Sequence, residues 1–263
     1  MQISGSTVLL TGATGGIGHA IARAVAARGG QLIVTGRRAD VLDALAAELG
    51  ARALTVDLSD RAEVGRLIDE AGAVDILIAN AALPASGRIE SFTLDELDRS
   101  LEVNLRVPIV LARTLLPAML ERRSGHLLFV SSLAGKSATA GSALYSASKF
   151  GLRGFAAGLR ADLHASGVGV STVFPGFIRD AGMFADTGVR LPPGVRTRAP
   201  EDVARAVISA IERNRGEVDV APLSLRAGAA AAGLAPEFAM AVARRLGSDA
   251  IAVRFAAEQR DKR

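Results

Sequence analysis

The chain has a single tyrosine, Tyr145, and only three lysines, one of which, Lys149, follows it by four residues. On a helix that offset puts both side chains on one face, about one turn apart. A phenol with a pKa of ~10 is a poor proton donor or acceptor near neutrality. An ammonium beside it favours the phenolate and brings the group towards working range. Ser132 lies upstream, at the end of the apolar run Leu127–Ser131, where its hydroxyl could hold a substrate oxygen beside Tyr145. Serine is common in turns, so taken alone Ser132 is more often just a turn residue. Taken together, the three side chains could exchange a proton with a carbonyl or alcohol oxygen.

A second constellation could hold the other reactant. Thr11-Gly12-Ala13-Thr14-Gly15-Gly16-Ile17-Gly18 follows the first apolar run and opens the first helical pattern. Such a loop lets backbone N–H groups approach a pyrophosphate at a helix N-terminus that carries about half a unit of positive charge. The spacing differs from the dinucleotide fingerprint G-x-G-x-x-G, and in a chain with 28 glycines the pattern alone is weak. Its place between a strand and a helix is what points to a nucleotide. After the second apolar run, where an acidic residue would select NAD, the chain reads Gly36-Arg37-Arg38. A guanidinium offers a 2′-phosphate a bidentate, charge-assisted fork, so the expected cofactor is NADP(H). The plainer reading of Arg37 and Arg38 is a solvated start to the next helix.

Composition removes other chemistries. The 263 residues are 49% hydrophobic and 22% charged, a globular balance. With no cysteine there is no disulfide, no thiolate nucleophile and no cysteine metal site, and the scattered His19, His126 and His164 have no metal-ligand spacing. The net charge is +4, with arginine supplying 28 of the 31 basic residues; these are dispersed among acids, without a basic run or aromatic interleaving, so no nucleic-acid partner is expected. No apolar run reaches the ~18–20 residues of a membrane span, and the N-terminus lacks a signal-peptide pattern, so a cytoplasmic protein is expected.

The elements that must position these residues alternate. Apolar runs at 5–11, 31–35, 54–56, 75–79, 126–131, 168–174 and 218–220 are separated by helical patterns at 17–28, 39–49, from Asp60, 94–105, 107–120, 144–165 and 200–213. Asp60 and Glu63 have capping-box spacing. The alternation predicts an α/β fold, a Rossmann-like doubly wound parallel sheet with helices on both faces. No linker or repeat interrupts it, so a single domain is expected, with residues 1–222 as its catalytic, dinucleotide-binding part and 223–263 as a helical C-terminal extension.

In this order the motifs resemble those of the short-chain dehydrogenase/reductase family, in its compact single-domain subgroup, across roughly residues 5–221. The resemblance rests on Thr11 to Gly18, Asp57, Asn80-Ala81, Asn104, Ser132, Tyr145-x-x-x-Lys149 and Pro175-Gly176. It implies that Asp57, with Leu58 beside it, contacts the adenine, that Asn80 braces the cofactor site, and that Asn104 anchors a water in a proton relay to Lys149. It further implies that Lys149 holds the nicotinamide ribose, that Tyr145 is the proton donor or acceptor, and that Pro175 and Gly176 border the cofactor. Read without the family, Asp57 is a turn acid and Asn104 a helix-end residue. Two departures stand out: the usual Asn-Asn-Ala-Gly is Ala79-Asn80-Ala81-Ala82, and positions 177–180 read Phe-Ile-Arg-Asp without the frequent threonine.

The expected activity is NADPH-dependent reduction of a carbonyl, or the reverse alcohol oxidation, in a homo-oligomer (dimer or tetramer). The segment 177–200, with Phe177, Ile178, Met183, Phe184, Val189 and Leu191, is expected to cover the pocket and to suit an apolar substrate. A 3-oxoacyl-thioester reductase served by an acidic carrier protein, and a non-catalytic NADP-binding regulator, are the competing readings. In the extension, Pro236-Glu237 fits a helix start and Ser248-Asp249 the cap of a last helix. Phe238, Val242, Leu246, Ile251 and Phe255 supply an apolar face expected to pack beside the substrate entrance or a subunit partner, with a membrane-surface role as the alternative.

Overall fold

The computed structural model describes residues 1–188, 195–245 and 257–259. Among them the chain runs β1 (Thr7–Leu10), α1 (Gly16–Ala26), β2 (Gln31–Gly36), α2 (Ala39–Leu49), β3 (Arg52–Thr55), α3 (Arg61–Ala71), β4 (Ile76–Ala79), α4 (Leu94–Leu101), α5 (Val107–Glu121), β5 (Gly125–Val130), α6 (Ala143–Asp162), β6 (Val168–Pro175), α7 (Pro200–Glu212), β7 (Glu217–Val220), α8 (Leu223–Leu234) and α9 (Pro236–Arg245). The strands form one sheet in the order β3-β2-β1-β4-β5-β6-β7, with every pairing parallel. Its order reverses between β1 and β4, which opens a crevice at the C-terminal ends of those two strands.

The period of two along each strand divides the core between two faces. Val8 and Leu10, Ile76 and Ile78, and Leu128 and Val130 meet Ile21, Val25, Leu42, Val207 and Ile211 from α1, α2 and α7. The intervening Leu9, Leu77, Leu127 and Phe129 meet Val64, Leu67, Leu111, Met119 and Leu152 from α3, α5 and α6. Burial on both faces is why these strands read as continuous apolar runs.

Three local outcomes differ from the sequence patterns. Asp60 caps α3 by accepting from the N–H groups of Ala62 (2.8 Å) and Glu63 (3.3 Å). Glu63, however, reaches past Asp60 to accept from the Asp57 N–H at 2.6 Å, so the box braces the end of β3. The patterns at 94–105 and 107–120 are one rod, because a π-helical turn over Glu102–Arg106 joins α4 to α5. That rod, Leu94–Glu121, is long and apolar enough to cross a membrane, but its stripe of Val107, Leu111, Leu115 and Met119 is buried in the core between sheet and helices. No apolar run betrays its length, because charged residues interrupt its outer face.

Pro236 opens α9 as its position suggests, Phe238 is 73% exposed, and in α8 only Ala229 is buried. Gln259 is buried and donates to the Met183 carbonyl at 3.3 Å, which brings the end of the extension against the segment after β6. The expected last helix at 248–263, with Leu246, Ile251 and Phe255, lies largely outside the described residues, as do Val189 and Leu191.

His126 on β5 is fully enclosed, with Nε2 2.9 Å from the Ser171 hydroxyl. Burial, followed by the positive N-terminus and Arg160, lowers its pKa from 6.5 to about 3. Between those values the unfolded chain binds the extra proton, so the stability that neutral His126 contributes is complete above pH 6.5 and is lost towards pH 3. Denaturant midpoints measured from about pH 6.5 to 5, where carboxylates are still ionised, should fall by up to about 1.4 kcal/mol per pH unit. His126→Gln should flatten that slope.

Candidate active site

Six of the candidate residues lie at strand ends on the same edge of the sheet. Gly12 comes after β1, Arg37 after β2, Asp57 after β3, Asn80 after β4 and Ser132 after β5, while Pro175 ends β6. The crevice is stitched where β1 and β4 diverge. Thr11 Oγ1 accepts from the N–H groups of Asn80 and Ala81, both at 3.1 Å, and Asn80 Nδ2 donates to the carbonyls of Thr11 (3.1 Å) and Gly12 (3.2 Å). Gly12 has φ +67°, and a Cβ there would lie 2.7 Å from Ala81 Cα. At Gly18 a Cβ would lie 2.2 Å from the Gly12 carbonyl oxygen, so the loop folds back on the helix it opens.

This loop ends in an uncapped helix. Gly15, the residue before α1, makes no side-chain capping bond, and the N–H groups of Gly16, Ile17 and Gly18 have no acceptor within the helix. Gly15 is exposed, and Thr14, Gly16 and Ile17 are half-buried. Donors without acceptors, in a cradle that side chains would fill, suit an anionic group such as a pyrophosphate. Ala181, in the segment after β6, lies directly over Gly16.

The arginines divide their work. Arg38 donates to the Thr14 carbonyl and so fastens the start of α2 to the glycine loop. Arg37 is exposed and has no hydrogen bond or ion pair among the described residues, which leaves its fork open to a ligand. Burial alone would raise the Asp57 carboxyl, but bonds from the Ser59 N–H and hydroxyl and the charges of Arg37 and Arg99 lower it below its usual range. Leu58, beside it, is buried.

Across the crevice, α6 carries Tyr145 and Lys149 on one face, with Lys149 Nζ 5.6 Å from the centre of the Tyr145 ring. Lys149 is 1% exposed, donates to the Val130 carbonyl at 3.3 Å, and is pushed down by burial to about 8. Burial pushes the Tyr145 phenol up to about 12, against a smaller downward pull from its hydrogen bond with Ser132. Ser132 Oγ also accepts from the Ala134 N–H at 3.1 Å, so it is both a turn residue and a neighbour of Tyr145. Gly176, after β6, donates to the Val220 carbonyl at 3.0 Å, which holds the end of β6 beside β7.

Asn104 ties two segments together through its side chain. It sits in the π-helical turn, fully buried, with Oδ1 accepting from the Leu83 N–H at 2.6 Å and Nδ2 donating to the Leu83 carbonyl at 2.9 Å. Both ends of the amide are thus occupied by backbone. The residue four on is Pro108, which has no N–H to offer the Asn104 carbonyl an α-helical partner.

The sequence profile of the short chain dehydrogenase family matches residues 6–189. The chain belongs to this family. It is 37% identical to the ketoacyl reductase HetN of Nostoc over 83% of its own length and 79% of that protein's, and 33% identical to an uncharacterized oxidoreductase of Staphylococcus aureus over 82% and 96%. Among solved structures it resembles a short-chain dehydrogenase from Sphingobium yanoikuyae in complex with NADPH (TM-score 0.77, 28% identity, 89% of this chain and 94% of that one). It also resembles the closed form of serine dehydrogenase complexed with NADP+ (TM-score 0.74, 29% identity, 83% and 95%).

For this short-chain dehydrogenase several supporting residues carry no sequence signal of their own. Leu83 acts only through its backbone N–H and carbonyl, which every non-proline residue offers. Ser131, next to Ser132, donates to the Lys149 carbonyl at 3.1 Å, and Arg99 comes from α4 to within 3.8 Å of Asp57. The Asn104 arrangement makes a stability prediction. Asn104→Ala would strand the buried Leu83 N–H and carbonyl, costing roughly 2–4 kcal/mol. Thermal or denaturant unfolding should show a loss of that size, where a surface alanine substitution leaves the midpoint nearly unchanged.

Proposed function

We propose that the chain is an NADP(H)-dependent oxidoreductase that reduces a carbonyl to an alcohol, or runs the reverse, on an apolar small molecule. The observation that carries this reading is the meeting of Ser132, Tyr145 and Lys149 at the same sheet edge as the glycine cradle and the open Arg37 fork. Gly12, Thr14, Gly16, Ile17 and Gly18 would hold the pyrophosphate, Arg37 and Arg38 the 2′-phosphate, and Asp57 and Leu58 the adenine. Asn80 would brace the crevice floor, with Pro175, Gly176 and Lys149 bordering the nicotinamide end. When bound, the cofactor supplies the hydride to the carbonyl carbon or accepts it from the alcohol.

The chain's own residues handle the proton. In reduction, Tyr145 donates its phenolic proton to the carbonyl oxygen as negative charge develops there, and Ser132 donates a hydrogen bond that orients the same oxygen. The Lys149 ammonium stabilises the phenolate that results. The Asn104 carbonyl would hold the water through which Lys149 exchanges protons with solvent. The half-buried Phe177–Phe184 pair, with ring centres 5.0 Å apart, supports an apolar substrate under the segment 177–200. The identity with a ketoacyl reductase favours a second reading, a 3-oxoacyl thioester as the natural carbonyl. Residues 1–222 form the catalytic part in this reading and 223–263 its extension.

Two substitutions test it. Tyr145→Phe should leave NADPH binding within about twofold while nearly abolishing turnover of a ketone and aldehyde panel, since only the proton transfer is removed. Arg37→Asp should weaken NADPH binding by about tenfold or more, the loss of one charge-assisted pair worth ~1.5–3 kcal/mol. A wild type that prefers NADH, or an Arg37→Asp protein that keeps its NADPH preference, would overturn the cofactor assignment.

A further inference from the structure

The two carriers of the proton-transfer set, the loop after β5 and helix α6, are fastened to one another and to the edge strand β7. Ser132 begins a turn, Leu133–Gly135, that ends at Lys136. Lys136 Nζ lies 2.6 Å from Asp219 Oδ1 and 2.9 Å from Glu217 Oε2, and 4.0 Å from the centre of the Phe174 ring. Its side chain is only 14% exposed. Glu217 and Asp219 can share one lysine because residues two apart on a strand point to the same side. Glu217 has a second partner. Arg153, four residues after Lys149 on α6, grips it in bidentate fashion at 2.7 and 3.2 Å. Burial raises the Glu217 carboxyl, but the bonds from Arg153 and Lys136 outweigh it and lower its pKa.

Loop and helix also touch directly. Ser131 Oγ donates to the Lys149 carbonyl, and at Gly135 a Cβ would lie 2.7 Å from that same oxygen. The loop therefore packs on α6 without slack, and Lys136 sets where its far end is tied. The residue type matters as well. Arginine fills 28 of the 31 basic positions in this chain, yet position 136 holds one of the three lysines. A compact ammonium can donate to two carboxylates above an aromatic face, where a planar guanidinium would favour a single side-on pairing.

We propose that Lys136 is a positioning residue: tied to Glu217 and Asp219 on β7, it holds the Ser132 hydroxyl against the Tyr145 phenol, with Arg153 fixing α6 to the same glutamate. This inference rests on Ser132, Tyr145 and Lys149 being the proton-transfer set. The single tyrosine and absent tryptophan make the geometry readable without turnover, because the tyrosinate absorbance band titrates Tyr145 alone.

The experiment compares wild type, Lys136→Met and Lys136→Arg by tyrosinate titration, with and without saturating NADP+, and by steady-state kinetics. Lys136→Met should raise the Tyr145 midpoint, because the Ser132 hydrogen bond that lowers it is loosened. It should also cut kcat about tenfold or more while NADPH affinity stays within about twofold, as expected of a misplaced rather than missing group. Lys136→Arg should recover only part of both changes, because a guanidinium keeps the charge but favours one of the two carboxylates. A folded Lys136→Met protein with an unmoved midpoint overturns the proposal, whether its kcat falls or not. If Lys136→Met fails to fold, Asp219→Asn, which keeps the lysine and the Glu217 pairing, should shift the midpoint in the same direction by less; no shift overturns the proposal. If the wild type turns over no carbonyl, the functional reading fails, while the apo titration still decides whether Lys136 positions Ser132.

Discussion

The backbone just beyond β1 and that just beyond β4 meet at Gly12 and Ala81, and the rest of the crevice depends on that contact. A parallel sheet whose order reverses must part its connections at one point, and here they part immediately after these two strands. The peptide groups at the parting would be left without partners if the strands simply diverged. Thr11 Oγ1 and the Asn80 amide take up four of those bonds, which holds the strand ends together while the chain turns away on either side. Glycine at position 12 permits both the left-handed backbone and the close approach. Only then does the glycine loop present the first-turn N–H groups of α1 to the crevice.

Desolvation gives the other wall its character. The enclosure that seats Tyr145 and Lys149 raises the phenol and lowers the ammonium, so each is biased towards its neutral form. A catalytic pair needs the opposite bias on the phenol, and it has to come from groups held close: the Ser132 hydroxyl on one side and the Lys149 charge on the other. That makes placement more important than residue type. Loop 131–136 is secured to α6 by Ser131 and to β7 by Lys136, so the hydroxyl that opposes desolvation has little freedom to drift.

The π-helical turn at Glu102–Arg106 shows how a helix can serve the core and the site together. An uninterrupted α-helix would continue one apolar stripe along the whole rod. The wider turn shifts that stripe and sends Asn104 inward to grip Leu83, in the stretch that follows Asn80. The bonds from Asn104 and from Asn80 therefore secure the chain after β4 at two places. Arg99, one turn earlier in the rod, extends the same support to Asp57.

Much of this architecture was legible in the sequence. Strands buried on both faces read as apolar runs whatever their neighbours, the helices between them follow, and parallel pairing then brings Gly12, Arg37, Asp57, Asn80, Ser132 and Pro175 to one edge. The Tyr145–Lys149 spacing is equally local, since helical pitch alone places the two side chains together. Tertiary structure decided what depends on long-range partners. Asn104 carries no signal for the bonds its amide makes to a backbone 21 residues away. Glu63 has capping-box spacing, but the nearby end of β3 offers a better donor than its own N-cap. Lys136 has no motif at all, because its meaning lies in two carboxylates more than 80 residues downstream. Periodicity and helical pitch are properties of a segment and survive in the one-dimensional chain. Hydrogen bonds and ion pairs depend on which segments the fold brings within about 3 Å of each other, and that distance exists only once the sheet has closed.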